Sequence, residues 1–121
     1  MAAEGAAMKI LIVDDAPDIR EILEIVLAGD GWDVSTADCL AQGAAQLGQG
    51  TPQLILLDFQ LPDGDGVSAA KEWKTRPELA SVPIVLYTGN DSHAAADSAL
   101  AGVIVKTIDP FELSQRLKAF L

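Results

Sequence analysis

The sequence predicts a doubly wound α/β domain built on one parallel sheet of five strands. Three observations carry that prediction. Short aliphatic runs and stretches of helical periodicity alternate along the 121 residues. The run Leu54-Ile55-Leu56-Leu57, which stops at Asp58, is apolar throughout, as a strand covered on both faces must be. The connections are short, and short right-handed crossovers imply parallel strands with helices on both sides.

Taken in order, Met1 to Ala7 lacks a basic region followed by an apolar stretch, so it is no signal peptide and reads as a flexible extension ahead of one domain, residues 8–121. Met8 to Val13 is a buried strand ending in Asp14-Asp15. Pro17 suits a first helical turn, and Ile19, Ile22, Leu23, Val26 and Leu27 then recur on one helical face, closed by Gly29 and Gly31. Trp32 to Thr36 alternates, as an edge strand does. Leu40, Ala44 and Leu47 mark a weaker helix that ends between Gly48 and Pro52.

After the strand into Asp58 comes the turn Phe59-Gln60-Leu61-Pro62-Asp63-Gly64-Asp65-Gly66, in which Asp63 and Asp65 read as turn residues rather than ligands. A third helix is expected from Val67 to Arg76, with Val67, Ala70 and Trp73 inward and Pro77 as its stop. Pro83 opens a fourth strand, Ile84 to Tyr87, which ends at Thr88-Gly89. Asp91 to Leu100 leaves room only for a short, Ala-rich fourth helix. Val103 to Val105 is the fifth strand and leads to Lys106. Asp109-Pro110-Phe111-Glu112 has the form of a capping box, and Leu113, Leu117, Phe120 and Leu121 share a side of the last helix.

Eight basic against 18 acidic residues give a net charge of −10. That balance argues against direct nucleic-acid binding, which needs an excess of Lys and Arg. No apolar run approaches a membrane span. Cys39 is the single cysteine, so no internal disulfide exists and a reducing, cytoplasmic compartment is expected. Cys39 itself reads as a small filler, His93 as a solvated side chain, and Trp32 and Trp73 as packing residues.

The chemistry sits at the strand ends. Asp14 and Asp15, Asp58, Thr88 and Lys106 follow strands one, three, four and five, and in a doubly wound sheet these ends share one edge, where ligands bind. Singly, each has an ordinary explanation: Asp14-Asp15 as a helix cap, Asp58 and Thr88 as turn residues, Lys106 as a solvated strand end. Jointly they form an acidic cleft. Three carboxylates repel, and Mg2+ is the usual compensation because it takes hard oxygens and also binds phosphate. A carboxylate beside Mg2+ and Lys is a nucleophile for phosphoryl transfer, with the metal, the Lys and the Thr hydroxyl meeting charge on the transferring oxygens.

From Met8 to Leu121 the sequence resembles a receiver domain of a bacterial two-component response regulator. The residues that carry the resemblance are Val13-Asp14-Asp15, the strand into Asp58 with Leu61-Pro62 and Gly66, Thr88-Gly89, and Lys106. The resemblance implies a flavodoxin-like (βα)5 fold with strand order 2-1-3-4-5. It implies that Asp58 accepts a phosphoryl group from a histidine kinase or phosphotransfer protein. Asp15, Asp58 and the backbone carbonyl of Gln60 would bind Mg2+, with Asp14 reaching it through water. Thr88 and Lys106 would hold the phosphoryl oxygens and reposition on activation, and Gln60 and Asn90 stand where the family tunes hydrolysis. The partner on the output side would be an effector domain or protein, with no direct nucleic-acid or membrane partner.

Three departures fall on the output side. Thr107 follows Lys106 where receivers place a cis proline; a cis bond without proline costs about 2.5–4 kcal/mol, so a trans bond is expected. Val103 stands where the family carries a switching aromatic, and Val cannot swing between rotamers in that way. The stretch from Thr88 to Lys106 is short, so signalling is expected through rearrangement near Asn90–Ala101. These departures motivate an alternative, a pseudo-receiver that binds proteins without being phosphorylated. A Mg2+-dependent phosphohydrolase fits less well, because it wants two aspartates separated by one residue and a cap. The domain is expected to act on its own Asp58 rather than as an enzyme on a separate substrate. A chain ending with its last helix suits a fragment of a larger regulator or hybrid kinase.

Overall fold

The computed structural model describes residues 8–89, 98–106 and 108–121. The expectations for residues 1–7, Asn90, His93, the Lys106–Thr107 bond and most of the short fourth helix lie outside the described residues. Ser98 to Leu100 are turn and coil, so the end of that expected helix is not helical.

Five parallel strands form the sheet: β1 (Met8–Val13), β2 (Trp32–Ala37), β3 (Leu54–Asp58), β4 (Ile84–Thr88) and β5 (Gly102–Val105), in the order β2-β1-β3-β4-β5. The expected order is therefore the observed one. The central strands are apolar on both faces because both faces are covered. Leu11, Val13, Ile55 and Leu57 point to one layer, with Leu47, Ala69, Ala70 and Trp73 from the helices α2 (Leu40–Leu47) and α3 (Gly66–Trp73). Ile10, Ile12, Leu54 and Leu56 point to the other, with Leu23 and Leu27 of α1 (Pro17–Gly29) and Leu113 and Leu117 of the C-terminal helix (Pro110–Lys118). Each fully buried Leu or Ile contributes roughly 1.5–3 kcal/mol.

Several boundaries differ from the sequence expectation. α3 ends at Trp73 rather than Arg76, and a 3-10 turn, Pro77–Leu79, follows it. Lys74 explains the stop: its ammonium donates to the carbonyls of Leu79, Ala80 and Val82, folding the chain back. β5 begins one residue early, at Gly102, whose bare backbone lies under the ring of Phe120; an added Cβ would meet that ring at 2.6 Å. α1 buries only the narrow stripe of Leu23 and Leu27, while Ile22 and Ile25 face outward. Leu121 is also exposed. A hairpin of two-residue strands, Gln60–Leu61 against Gly64–Asp65, occupies the turn after Asp58.

Asp109 caps the C-terminal helix by accepting from the Phe111 amide, as its sequence suggested. Trp32 and Trp73 are buried packing residues. Trp32 also donates to Ser114, which donates to Asp30; Lys118 closes this clasp 3.1 Å from Asp30. Among the described residues no helix is long and apolar enough to cross a membrane.

Candidate functional site

The carboxyl ends of β1, β3, β4 and β5 converge as the sequence implied. Asp14 and Asp15 follow β1, and Asp58 is the last residue of β3. Carboxylate oxygens of these three lie within 4.8 Å of one another. Asp14 is buried, Asp15 exposed, and Asp58 is 9 % exposed at the mouth. Lys106, directly after β5, places its ammonium 3.0 Å from Asp14 Oδ2 and 3.4 Å from Asp58 Oδ2. Thr88 ends β4, is buried, and stands one residue beyond Tyr87, the partner of Asp58 across the sheet. Its carbonyl accepts from the Lys106 amide at 2.7 Å, which locks the start of the lysine to the same edge. Gln60 is exposed and opens the hairpin two residues after Asp58, pairing with Asp65.

The local chain explains these placements. Asp14 Oδ1 accepts from the Ala16 amide at 2.9 Å, turning the chain from β1 into α1. Arg20, one turn into α1, donates to the Asp14 carbonyl at 2.7 Å. No sequence signal pointed to Arg20, because its partner is a backbone oxygen. Tyr87 was likewise missed; the Lys106 ammonium lies 5.6 Å from its ring centroid, within cation–π range. Asp63 and Asp65 do not reach the cluster as ligands. Asp65 caps α3 through the Ser68 amide, and Asp63 accepts from the amides of Leu40 and Ala41.

The electrostatics are those of a crowded acid site. Burial, and after it the charge of Asp14, pushes the Asp58 carboxyl above the ordinary carboxylate range, against the pull of Lys106. Burial works against the charge of Lys106, but its pairing with Asp14, followed by the attraction of Asp58, outweighs it and raises its pKa. Among the described residues the cluster sets three carboxylates against the one Lys106 ammonium, an excess of two negative charges. Oδ2 of Asp14 is buried and, although 3.0 Å from the Lys106 ammonium, has no aligned hydrogen-bond donor among the described residues. Hard oxygens, a twofold charge deficit and an unsatisfied buried oxygen fit a small divalent cation such as Mg2+.

Comparison with known proteins agrees with this geometry. The model of the response regulator receiver domain family matches residues 10–118. The transcriptional regulatory protein AruR of Pseudomonas aeruginosa is 36% identical over 91% of this chain and 48% of its own length. The KDP operon transcriptional regulatory protein KdpE of Escherichia coli is 33% identical over 93% of this chain and 50% of its own. The chain thus spans about half the length of the curated relatives it matches.

Among solved structures, the response regulator TrrA of Thermotoga maritima, in complex with Mg2+ and BeF, superposes with a TM-score of 0.83 at 30% identity, covering 94% of this chain and 99% of that one. The chemotaxis protein CheY4 of Vibrio cholerae gives 0.89 at 25% identity, covering 96% and 100%. With the sheet order, the acidic cleft and a family match over nearly the whole sequence in agreement, the chain belongs to the response regulator receiver domain family.

Proposed function

We propose that this domain is a phosphoaccepting switch that takes a phosphoryl group onto Asp58 from a histidine kinase or phosphotransfer protein and relays its state to an effector. The observation that carries this reading is the convergence of Asp14, Asp15 and Asp58 with the ammonium of Lys106 at one edge of the sheet. TrrA, similar over almost all of this chain, is known with Mg2+ and BeF, which supports a cation at the same cleft.

In the step proposed, a carboxylate oxygen of Asp58 attacks the phosphorus of a phosphoimidazole. A P–O bond forms, the P–N bond breaks, and its electron pair leaves with the imidazole nitrogen, which takes up a proton. Asp15, Asp58 and the Gln60 carbonyl would hold Mg2+, with Asp14 reaching it through water. Bound there, the ion neutralises charge on the transferring oxygens. Lys106 supplies a fixed cation beside Asp58, and the Thr88 hydroxyl a donor to a phosphoryl oxygen. By the resemblance, the neutral amides Gln60 and Asn90 stand where the family tunes hydrolysis. The reaction modifies the domain's own side chain, so the protein is a switch rather than an enzyme with a separate substrate, and the cytoplasm is its proposed setting.

Intact mass after incubation with acetyl phosphate and Mg2+ tests the proposal. The wild type gains one phosphoryl group and Asp58→Ala gains none. Val103, half-buried in β5 where the family places a switching aromatic, favours the second reading, an interaction module that is never phosphorylated. Absence of phosphoryl uptake by the wild type from acetyl phosphate or a phosphorylated donor would establish that reading instead.

A further inference from the structure

The hairpin after Asp58 is fastened at three points. Gly66 donates to the Phe59 carbonyl at 2.6 Å and lies against the Asp58 carbonyl. Asp65 accepts from the Ser68 amide at 2.8 Å, tying the hairpin to α3. Asp63 reaches out of the hairpin altogether. Its Oδ1 accepts from the Leu40 amide and its Oδ2 from the Ala41 amide, each at 2.9 Å. These two amides open α2, a helix whose own N-cap residue, Cys39, makes no side-chain capping bond to them. The neighbouring Gly64, at φ +152, lies over Leu40, with the position of an added Cβ 3.0 Å from Leu40 Cδ1.

One carboxylate thus uses both oxygens to join the loop behind the phosphoacceptor to a helix more than twenty residues earlier. The amide bonds hold the Asp63 carboxyl below the ordinary range. A hairpin this short does not hold its shape alone. A ligand carried on a mobile loop must be ordered when the ion binds, whereas a loop already fixed avoids that cost.

We infer that Asp63 is a positioning residue for cation binding: by pinning the hairpin that carries Gln60 to the first turn of α2, it makes occupancy of the cation site and order in that turn rise together. The inference rests on the proposed function, in which the Gln60 carbonyl is a ligand. Coupling of this kind is reciprocal.

The test uses the full chain with Mg2+ alone as the probe, by calorimetric titration and by amide exchange at Leu40 and Ala41. Wild type is compared with Asp63→Ala, Asp63→Asn and Asp109→Ala, the last removing a helix cap remote from the hairpin. Asp63→Ala should weaken Mg2+ binding roughly tenfold, as loss of a group that orients metal ligands does. Asp63→Asn, which keeps one acceptor oxygen, should fall between. Asp109→Ala should lose comparable stability yet change Mg2+ affinity less than about twofold.

Mg2+ should slow exchange at Leu40 and Ala41 in the wild type and not in Asp63→Ala. Equal Mg2+ affinity in Asp63→Ala and Asp109→Ala, or wild-type exchange at Leu40 and Ala41 indifferent to Mg2+, overturns the inference. Should Asp63→Ala not fold, Asp63→Asn and the wild-type exchange still decide. Failure of the proposed function looks different. A wild type that binds Mg2+ with this coupling but takes no phosphoryl group refutes the switch and leaves Asp63 as inferred; one that binds no Mg2+ refutes both.

Discussion

Gly66 packs against the carbonyl of Asp58 so closely that no Cβ can be placed between them. The Asp58 backbone is therefore braced from the side by the residue that begins α3. Gly66→Ala must push the hairpin or the end of β3 outward. It is expected to lose about 1–3 kcal/mol, as overpacked sites do, and to slow phosphoryl uptake. Urea denaturation and intact-mass kinetics measure the two effects, and an alanine variant with wild-type values of both would contradict the packing.

Asp58 carries a pH signature. Burial and the neighbouring Asp14 raise its carboxyl above the ordinary 3.8, so between that value and the raised one the native state holds a proton the unfolded chain has released. Its contribution to stability is fully present below 3.8 and is lost as pH rises through the native value. Asp58→Asn should therefore be more stable than wild type at neutral pH without divalent ions, and should lack that decline. Mg2+ should narrow the gap by stabilising only the wild type appreciably. Denaturation across a pH series reads this directly, and a less stable Asp58→Asn at neutral pH would refute it.

Lys106 offsets two carboxylates at once. Lys106→Ala leaves Asp14 and Asp58 facing each other and should cost about 1–3 kcal/mol, since Lys106 is partly solvated. Phosphoryl uptake should fall by about a hundredfold, the scale for losing one charge-stabilising donor. Mg2+ binding should persist, because the ammonium is not a ligand. Calorimetry and uptake kinetics on the same variant separate these effects, and loss of Mg2+ binding with normal uptake would assign the lysine the wrong role.

The clasp of Trp32, Ser114, Asp30 and Lys118 is structural. Ser114→Ala deprives the buried Trp32 indole of its acceptor, at a cost of about 1–3 kcal/mol. The Ser114 hydrogen bond, then Lys118, lowers the Asp30 pKa. That stabilisation is present above the unfolded value of 3.8 and lost as pH falls through the native one. Asp30→Asn should flatten this part of the acid limb, as thermal melts at falling pH would show.

The strands were legible because burial on two faces leaves an unbroken aliphatic run, and their ends placed Asp14, Asp15, Asp58, Thr88 and Lys106 on one edge before any coordinates. The hairpin was not, since two-residue strands are too short to show a period. Asp63 was read as a turn residue and does sit in the turn of the hairpin, yet its partners in α2 lie too far along the chain for any local pattern to name. Arg20 donates to a backbone carbonyl, an acceptor every residue possesses. Ile22 looked inward because periodicity gives the direction of a helical face but not its width, and α1 turns Leu23 and Leu27, with Ile19 beside them, to the sheet while Ile22 falls outside that face.

The two tryptophans fall one to each side of the sheet, Trp73 in the layer beneath α2 and α3, Trp32 in the layer beneath α1 and the C-terminal helix. Each half of the interior therefore carries its own native fluorophore. Replacing either with Phe leaves a single tryptophan that, excited apart from Tyr87, watches one half alone. Coincident denaturation curves from the two variants would show the halves melting as one cooperative unit, and separated curves would show which side lets go first.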